Sequence, residues 1–338
     1  MKSQRILVLM HETLVPPNSL EGYSQRQVDE FQTEYDVVQQ LQVSGHEVRC
    51  LGLADNLDEL SSCLTEFRPH VVFNLAEEFQ GLVSYDQHLV SYLELMRQPY
   101  TGCGPRGLML SRDKALSKQI LTSNGVVTPA FQVFKKAKKV VLTTELSFPL
   151  FVKSFTDDAS YGIAQASVVF DVEQLRRRVQ FIHEYIGSDA LVEEFIAGRE
   201  LYVGVIGNQR LNTYPIWEMD FGSSVSNGLN VATRKAKWDR RYRSKHGIRS
   251  HAAQELSPKL RKQILDLAVR GYRALSLTGY ARMDFRLSAR GEVFLLEANA
   301  NPCLAAQEDF ARSAAHAGDD FACLLERIIR LGKSYRPA

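Results

Sequence analysis

Ala281-Arg282-Met283-Asp284-Phe285-Arg286-Leu287, then Ser288-Ala289-Arg290-Gly291, then Glu292-Val293-Phe294-Leu295-Leu296-Glu297-Ala298-Asn299 is the stretch on which the reading of this chain turns. Two strand-like runs flank a turn, and a two-residue turn at Arg290-Gly291 would fold them into a β-hairpin with Asp284 opposite Glu297. Asn299 lies two residues beyond Glu297 and so projects from the same face. Neighbouring carboxylates repel unless a cation sits between them, and hard oxygen donors suit Mg²⁺, with Mn²⁺ as an alternative occupant. A solvated hairpin face is the competing account. Against it, Phe294, Leu295 and Leu296 show no alternation, so the strand reads as buried on both faces, where an unpaired carboxylate is expensive. The expectation is a metal site made by Asp284, Glu297 and Asn299.

Outward from the hairpin, the first hundred residues alternate strand and helix. Ile6 to Met10 is an unbroken apolar run, Phe31, Tyr35, Val38 and Leu41 follow at helical spacing until Gly45, and Val48–Leu53 and Val71–Asn74 are further short strands. This predicts an α/β fold whose N-terminal parallel sheet is Rossmann-like. The turn after the first strand, His11 to Pro17, contains no glycine, which argues against dinucleotide binding there. Pro99-Tyr100-Thr101-Gly102-Cys103-Gly104-Pro105 breaks both periodicities and sets a domain boundary near residue 107. Beyond it come a helix around Lys114–Ser123, a strand ending Val152-Lys153, and a helix capped by Asp171 with Gln174 and running to Ile186. Ser257-Pro258 opens another helix, and Asp309 to Leu331 reads as one more helical stretch.

Composition excludes several classes. At 338 residues the chain exceeds what one core organises, and 45% hydrophobic residues rule out wholesale disorder. Lysine plus arginine (41) against aspartate plus glutamate (39) leaves +2, no overall field for a nucleic acid or an anionic membrane. Five dispersed cysteines contain no C-x-x-C pair, no apolar run spans a bilayer, and the start is too short for a signal-peptide core. A cytoplasmic protein without nucleic-acid or membrane partners is expected. The one dense charge run is Arg234 to Arg249, with eight basic residues against Asp239. It reads either as a solvated face or as a lid over phosphates or an acidic substrate.

Two more segments hold candidate ligands. Lys153 is followed by a polar loop, Ser154 to Gly162, able to fold over phosphates but equally readable as an ordinary hairpin loop. In Leu191-Val192-Glu193-Glu194-Phe195-Ile196-Ala197-Gly198-Arg199-Glu200-Leu201, acidic residues flank a glycine-containing turn. This is either a solvated hairpin rim or an interdomain hinge that holds a purine, with Glu200 accepting from ribose hydroxyls.

Taken in order, Arg112-Asp113-Lys114, Val152-Lys153, Val192-Glu193-Glu194-Phe195-x-x-Gly198-x-Glu200, Ala236-Lys237-Trp238, Arg282-Met283-Asp284 and Leu296-Glu297-Ala298-Asn299 resemble the D-alanine-D-alanine ligase branch of the ATP-grasp superfamily. Phe73-Asn74-Leu75-Ala76-Glu77 and Tyr100-Thr101-Gly102 do so too. The resemblance covers nearly the whole chain and implies a three-subdomain ATP-grasp architecture: residues 1–107 Rossmann-like, 108–196 central, 197–338 carrying the Mg-ATP and catalytic site. It implies that Lys114, Lys153 and Lys237 contact phosphates, that Glu193 lies beside the adenine, that Glu194 and Phe195 also bind ATP, and that Glu200 holds the ribose. Asp284, Glu297 and Asn299 would bind Mg²⁺, and Arg282 would steady an acyl-phosphate and the tetrahedral oxyanion. The reaction implied is ATP-dependent joining of a carboxylate to an amine, forming an amide and releasing ADP and phosphate. Partners would be the two small-molecule substrates, with a homodimer as one option.

Departures from the family pattern fall on the substrate side. Ala159 replaces a serine, while Ser160 and Gly162 match; Trp238 replaces a tyrosine; Pro302-Cys303-Leu304 replaces a Pro-Gly-Met stretch; Glu308 stands where a serine would hold the acceptor's carboxylate. These imply substrates other than plain D-alanine, and Glu308 suggests an acceptor carrying extra positive charge. Glu34, in the first long helix, either faces the substrate or is an ordinary surface glutamate. The alternatives are a D-alanine-D-alanine ligase of cell-wall synthesis and a non-catalytic ATP sensor; a sensor has no evident use for Arg282.

Overall fold

The computed structural model describes residues 2–142, 146–155, 163–222 and 229–337. Ser160, expected at the substrate, lies outside them. The first sheet is parallel, in the order β2-β1-β3, from β1 (Arg5–His11), β2 (Glu47–Leu53) and β3 (Val71–Asn74). Ile6 to Met10 is fully buried, as the unbroken apolar run requires of a central strand. Helices α1 (Gln25–Val43), α2 (Asp58–Phe67), α3 (Asp86–Leu95) and α4 (Pro105–Arg112) accompany it. α1 ends where Gly45 takes a φ of 83°.

The second sheet is antiparallel, in the order β4-β7-β5-β6, from β4 (Phe131–Phe134), β5 (Leu150–Ser154), β6 (Val168–Val169) and β7 (Ala190–Glu194). It follows α5 (Lys114–Ser123) and carries α6 (Val172–Phe181), N-capped by Asp171, on one face over a core of Leu150, Val152, Leu175, Val179 and Val192. The third sheet runs β11-β10-β8-β12-β13, with β9 beside β8. Its strands are β8 (Gly198–Ile206), β9 (Asn212–Thr213), β10 (Trp217–Asp220), β11 (Arg249–Ala252), β12 (Tyr280–Ser288) and β13 (Val293–Asn299). One face of it is apolar: Leu201, Val203, Met283, Phe285 and Leu295 pack on Ile264 and Ala268 of α9 (Pro258–Ala274), each buried aliphatic of this kind contributing about 1.5–3 kcal/mol. Between β10 and β11 the basic run folds as two short helices, α7 (Arg234–Trp238) and α8 (Arg240–His246).

Residues 195–197 carry the chain from β7 of the second sheet to β8 of the third, so this segment links two sheets and is not a hairpin rim. The expected C-terminal helical stretch is interrupted. Gly318 adopts a φ of 95° and Asp320 caps a new helix, giving α10 (Asp309–His316) and α11 (Phe321–Ser334). Both return to the first sheet, where Phe310, Leu324, Leu325 and Ile328 share a core with Ile6, Val8 and Phe73, and His46 meets Glu326 at 2.8 Å. Among the described residues no helix is long and apolar enough to cross a membrane.

The hairpin corrects one expectation and keeps its consequence. Its loop has three residues, not two: Ser288 N–H donates to Glu292 O at 2.9 Å, Leu287 pairs with Val293, and Gly291 takes a φ of 80°. That register alone would set Asp284 against Leu296. A β-bulge restores the pairing, since Phe285 opposes Leu295 while Asp284 opposes Glu297, leaving Leu296 as the extra residue. The missing alternation at Phe294-Leu295-Leu296 reflects this bulge rather than burial on both faces, because Leu296 is half-exposed.

At the start of β8, Gly198 has a φ of 147°, and a Cβ there would stand 2.0 Å from the Leu287 carbonyl oxygen of β12. Gly198→Ala must therefore push the two central strands apart as well as accept about 1–3 kcal/mol of backbone strain. Urea denaturation should show a loss of at least about 2 kcal/mol, a size that marks a named structural defect rather than an ordinary surface change.

Candidate active site

The other face of the third sheet is polar. Pairing of β8 with β12 sets Glu200 against Arg286, Tyr202 against Asp284 and Gly204 against Arg282, so period-two alternation gathers Glu200, Tyr202, Arg282, Asp284 and Arg286 on one side, beside Glu297 and Asn299 of β13. Facing them, Lys153 on β5 and Glu193 on β7 sit diagonally on one face of the second sheet. A cleft of about 770 Å³ opens between the sheets, lined by Lys114, Lys153, Glu193, Glu194, Phe195, Glu200, Lys237 and Glu297 with Phe151, Ile163, Arg286 and Leu296. All seven residues expected to contact ATP line this one cleft.

Charges in the cleft are paired in a chain. Glu193, 3% exposed, lies 2.9 Å from Lys118 and 3.1 Å from Lys153, and Lys153 lies 3.6 Å from Glu297. Burial favours a neutral Glu193, but Lys118 and Lys153 hold its pKa below the ordinary carboxylate value. Both of its oxygens thus serve lysines. Burial likewise works against the Lys153 ammonium, and Glu193 and Glu297 more than offset it, raising its pKa. Glu200 is held by Arg286 at 2.6 Å and by the Tyr202 hydroxyl, which donates at 2.8 Å. The Glu194 carboxylate accepts from Ser147 N–H at 2.9 Å, which turns its oxygen toward the rim.

A second chamber of about 1430 Å³ adjoins the first. Lys114, Lys237 and Glu297 line both, and Glu34, Arg282, Asn299 and Cys303 line the second. Arg282 forms a two-pronged pair with Asp284 at 2.7 and 2.8 Å and lies 4.7 Å above the Tyr202 ring; Asn299 Nδ2 donates to Asp284 at 3.1 Å. Arg282 therefore has a resting role, neutralising Asp284, that sequence reading did not supply. Burial pushes the Asp284 carboxyl up, with Arg282 opposing. Burial would raise Glu297 too, but Lys153, Lys237, Lys114 and Arg282 bring it down to about 2, so it stays anionic between the chambers. Glu297 and Asp284 offer carboxylate oxygens and Asn299 an amide oxygen, hard donors of the type Mg²⁺ takes, and here both Asp284 oxygens are engaged by Arg282 with Asn299 Nδ2 on one of them.

Glu34 is 6% exposed and lines the second chamber, so it is no ordinary surface glutamate. Glu308 lies in a third, adjoining space of about 2300 Å³ with Arg240, Arg243 and Arg312. Arg240 and Arg243 act against the repulsion that Glu308 would exert on an acceptor carboxylate, while burial and Asp309 push the Glu308 carboxyl up. α8 is tied to α1 by Arg240 and Asp29 at 3.2 Å, so the basic run covers the chambers with Lys237 directed into them. Two residues that sequence reading missed were legible in principle. Lys118 is one helical turn from Lys114, and Arg286 is two residues from Asp284 on a strand.

Residues 120–330 match the family described as D-ala D-ala ligase C-terminus. The chain is 32% identical over 301 residues to the uncharacterized protein y4sG of Sinorhizobium fredii, covering 87% of this chain and 85% of that one. It is 32% identical over 261 residues to the D-alanine--D-alanine ligase of Desulforudis audaxviator, covering 75% and 79%. Among solved structures, the Bacillus anthracis D-alanine--D-alanine ligase complexed with ATP superposes with a TM-score of 0.74 at 20% identity, covering 98% of this chain and 97% of that one. The VanG D-Ala:D-Ser ligase of Enterococcus faecalis gives 0.70 at 18%, covering 98% and 100%. Family, relatives and fold define the class: an ATP-grasp, ADP-forming carboxylate-amine ligase acting on small molecules. The chain belongs to the D-alanine-D-alanine ligase-like branch of that superfamily.

Burial raises the Glu34 carboxyl to about 7, against a hydrogen bond from its own backbone and with Glu77 adding to the rise. A carboxyl whose folded pKa exceeds its unfolded value of 4.5 binds more protons when folded, so stability falls as pH rises from about 4.5 to about 7 and is level above. The fall is on the order of 3 kcal/mol at about 1.36 kcal/mol per unit. Glu34→Gln should flatten that part of the urea-denaturation pH profile; an unchanged slope would mean Glu34 is solvated.

Proposed function

We propose that the smaller cleft holds ATP and that the second chamber holds a carboxylate whose oxygen attacks the γ-phosphorus, forming an acyl-phosphate and ADP. An amine then attacks the acyl carbon, an amide forms and phosphate leaves. The observation that carries this reading is that Lys114, Lys237 and Glu297 line both chambers, so the phosphate end of a nucleotide in the first would meet a carboxylate in the second. Lys114, Lys153 and Lys237 would contact phosphates, Glu193, Glu194 and Phe195 would line the purine, and Glu200 would take the ribose. Asp284, Glu297 and Asn299 would hold Mg²⁺, which supplies charge neutralisation for phosphoryl transfer. Arg282, released from Asp284, would stabilise the oxyanion at the acyl carbon. Glu34 and Ser160 would orient substrate, with Glu308 further out. Subdomains of 1–107, 108–196 and 197–338 and a cytoplasmic setting complete the reading.

The substrates we propose are not two plain D-alanines. Support comes from Trp238, Cys303 and Glu308, which replace the family's residues at the substrate side, and from an outer space bearing arginines. Identity to the Desulforudis ligase favours the second reading, ligation of D-alanine itself. Phosphate release from ATP over a panel of carboxylates and amines, D-alanine included, tests both. Amine-dependent release excludes a sensor, and D-alanine alone matching the best pair would sink the first reading.

Two variants test the assigned roles. Arg282→Ala should lower kcat by ~10²-fold or more, far more than it weakens ATP binding, because its charge acts on the oxyanion while the weakening reports only the unpaired Asp284. Glu297→Gln should abolish turnover with circular dichroism unchanged; full activity at ordinary Mg²⁺ would remove Glu297 from the metal site.

A further inference from the structure

Among the described residues β13 is the edge strand of the third sheet, and its outer backbone groups face no further strand. At its bulge they are met by one segment running from α5 into the following loop. Leu295 N–H donates to the Val127 carbonyl at 2.9 Å, and Lys118 Nζ donates to the Leu296 carbonyl at 3.2 Å. Leu296 is the extra residue that returns Glu297 to the face of Asp284. Lys118 is itself 1% exposed and lies 2.9 Å from Glu193. The contacts close a ring: Lys118 to the Leu296 carbonyl, along one residue to Glu297, across to Lys153, to Glu193, and back to Lys118.

A lysine buried this deeply is costly unless its donors are used, and a surface cation would serve phosphates better. Lys118 does not line either chamber. The geometry points to Lys118 as a positioning residue that pins the Leu296 bulge and thereby keeps Glu297 in register with Asp284 for Mg²⁺. One residue's slip would turn Glu297 to the α9 side of the sheet. The inference rests on the metal site proposed above.

The test uses the full chain carrying Lys118→Met, Lys118→Met with Glu193→Gln so that no buried carboxylate is orphaned, and Lys118→Arg. Hydrogen exchange of the unliganded protein should be ~10-fold faster or more over residues 293–299 in both methionine variants, with protection elsewhere in the sheet kept. Calorimetric titration of Mg²⁺ into protein with ATP should show ~10- to 100-fold weaker metal affinity than wild type, or than Glu193→Gln alone for the double variant. Lys118→Arg should restore both. Folded methionine variants with unchanged exchange at 293–299 or unchanged Mg²⁺ affinity would overturn the proposal, as would failure of both to fold, which would make Lys118 a core residue only. Wild-type protein that binds ATP equally with and without Mg²⁺ would instead defeat the metal site itself, and this inference with it.

Discussion

Two carboxylates facing each other across adjacent strands are the constraint around which the rest of the site is arranged. Asp284 is buried and Glu297 half-buried, and they oppose one another across β12 and β13. At ~4 Å and an effective dielectric of 20, two like charges repel by ~4 kcal/mol, more than a typical neutral hydrogen bond returns. Each is therefore given a cation: Arg282 for Asp284, Lys153 for Glu297. Lys153 in turn needs Glu193 to offset its own burial, and Glu193 needs Lys118. The charged groups are not independent ligands placed side by side. They form an alternating chain from the second sheet to the third, and removing a member leaves its neighbours with one counter-charge fewer.

That chain explains why the site must lie between sheets. One face of the third sheet is consumed by α9, and one face of the second by α6; only the two remaining faces can carry polar side chains toward each other. Passing directly from β7 to β8 through residues 195–197 puts the cleft's floor and roof on consecutive strands. The C-terminal helices close the arrangement at the other end. By packing on the first sheet they bring residues 301–308 against α1, and the second chamber forms where these meet, with Thr33 of α1 3.2 Å from Cys303.

Much of this was legible from residue patterns, and the exceptions have physical causes. Buried strands Ile6–Met10 and Val71–Asn74, the Lys114–Ser123 helix and the Asp171 cap follow from periodicity and capping chemistry, which are local. The Asp284–Glu297 pairing was reached through a turn of the wrong length, and the bulge at Leu296 made up the missing residue. No local pattern signals a bulge whose anchors, Lys118 and Val127, lie some 170 residues upstream. Glu34 looked like a helix-surface residue because its cover comes from elements far along the chain. The break at Gly318 was visible as glycine before two aspartates, but apolar spacing on either side masked it. Arg282 was read for what it does to a reacting group, and its resting partner two residues away on the same strand face was overlooked.

The inner and outer parts of the site differ by the same physics. Every member of the alternating chain depends on its neighbours, so a single change there leaves an adjoining charge with less compensation. The outer space around Glu308 is more open. Arg240 and Arg243 are partly solvated, Trp238 is 42% exposed, and Cys303 and Glu308 border open space. Substitution at these positions alters which molecule is held without orphaning a buried group. A side chain bordering this outer space can therefore be exchanged without stranding a buried ion, whereas an exchange within the alternating chain cannot, and Trp238, Cys303 and Glu308 lie on the permissive side of that line.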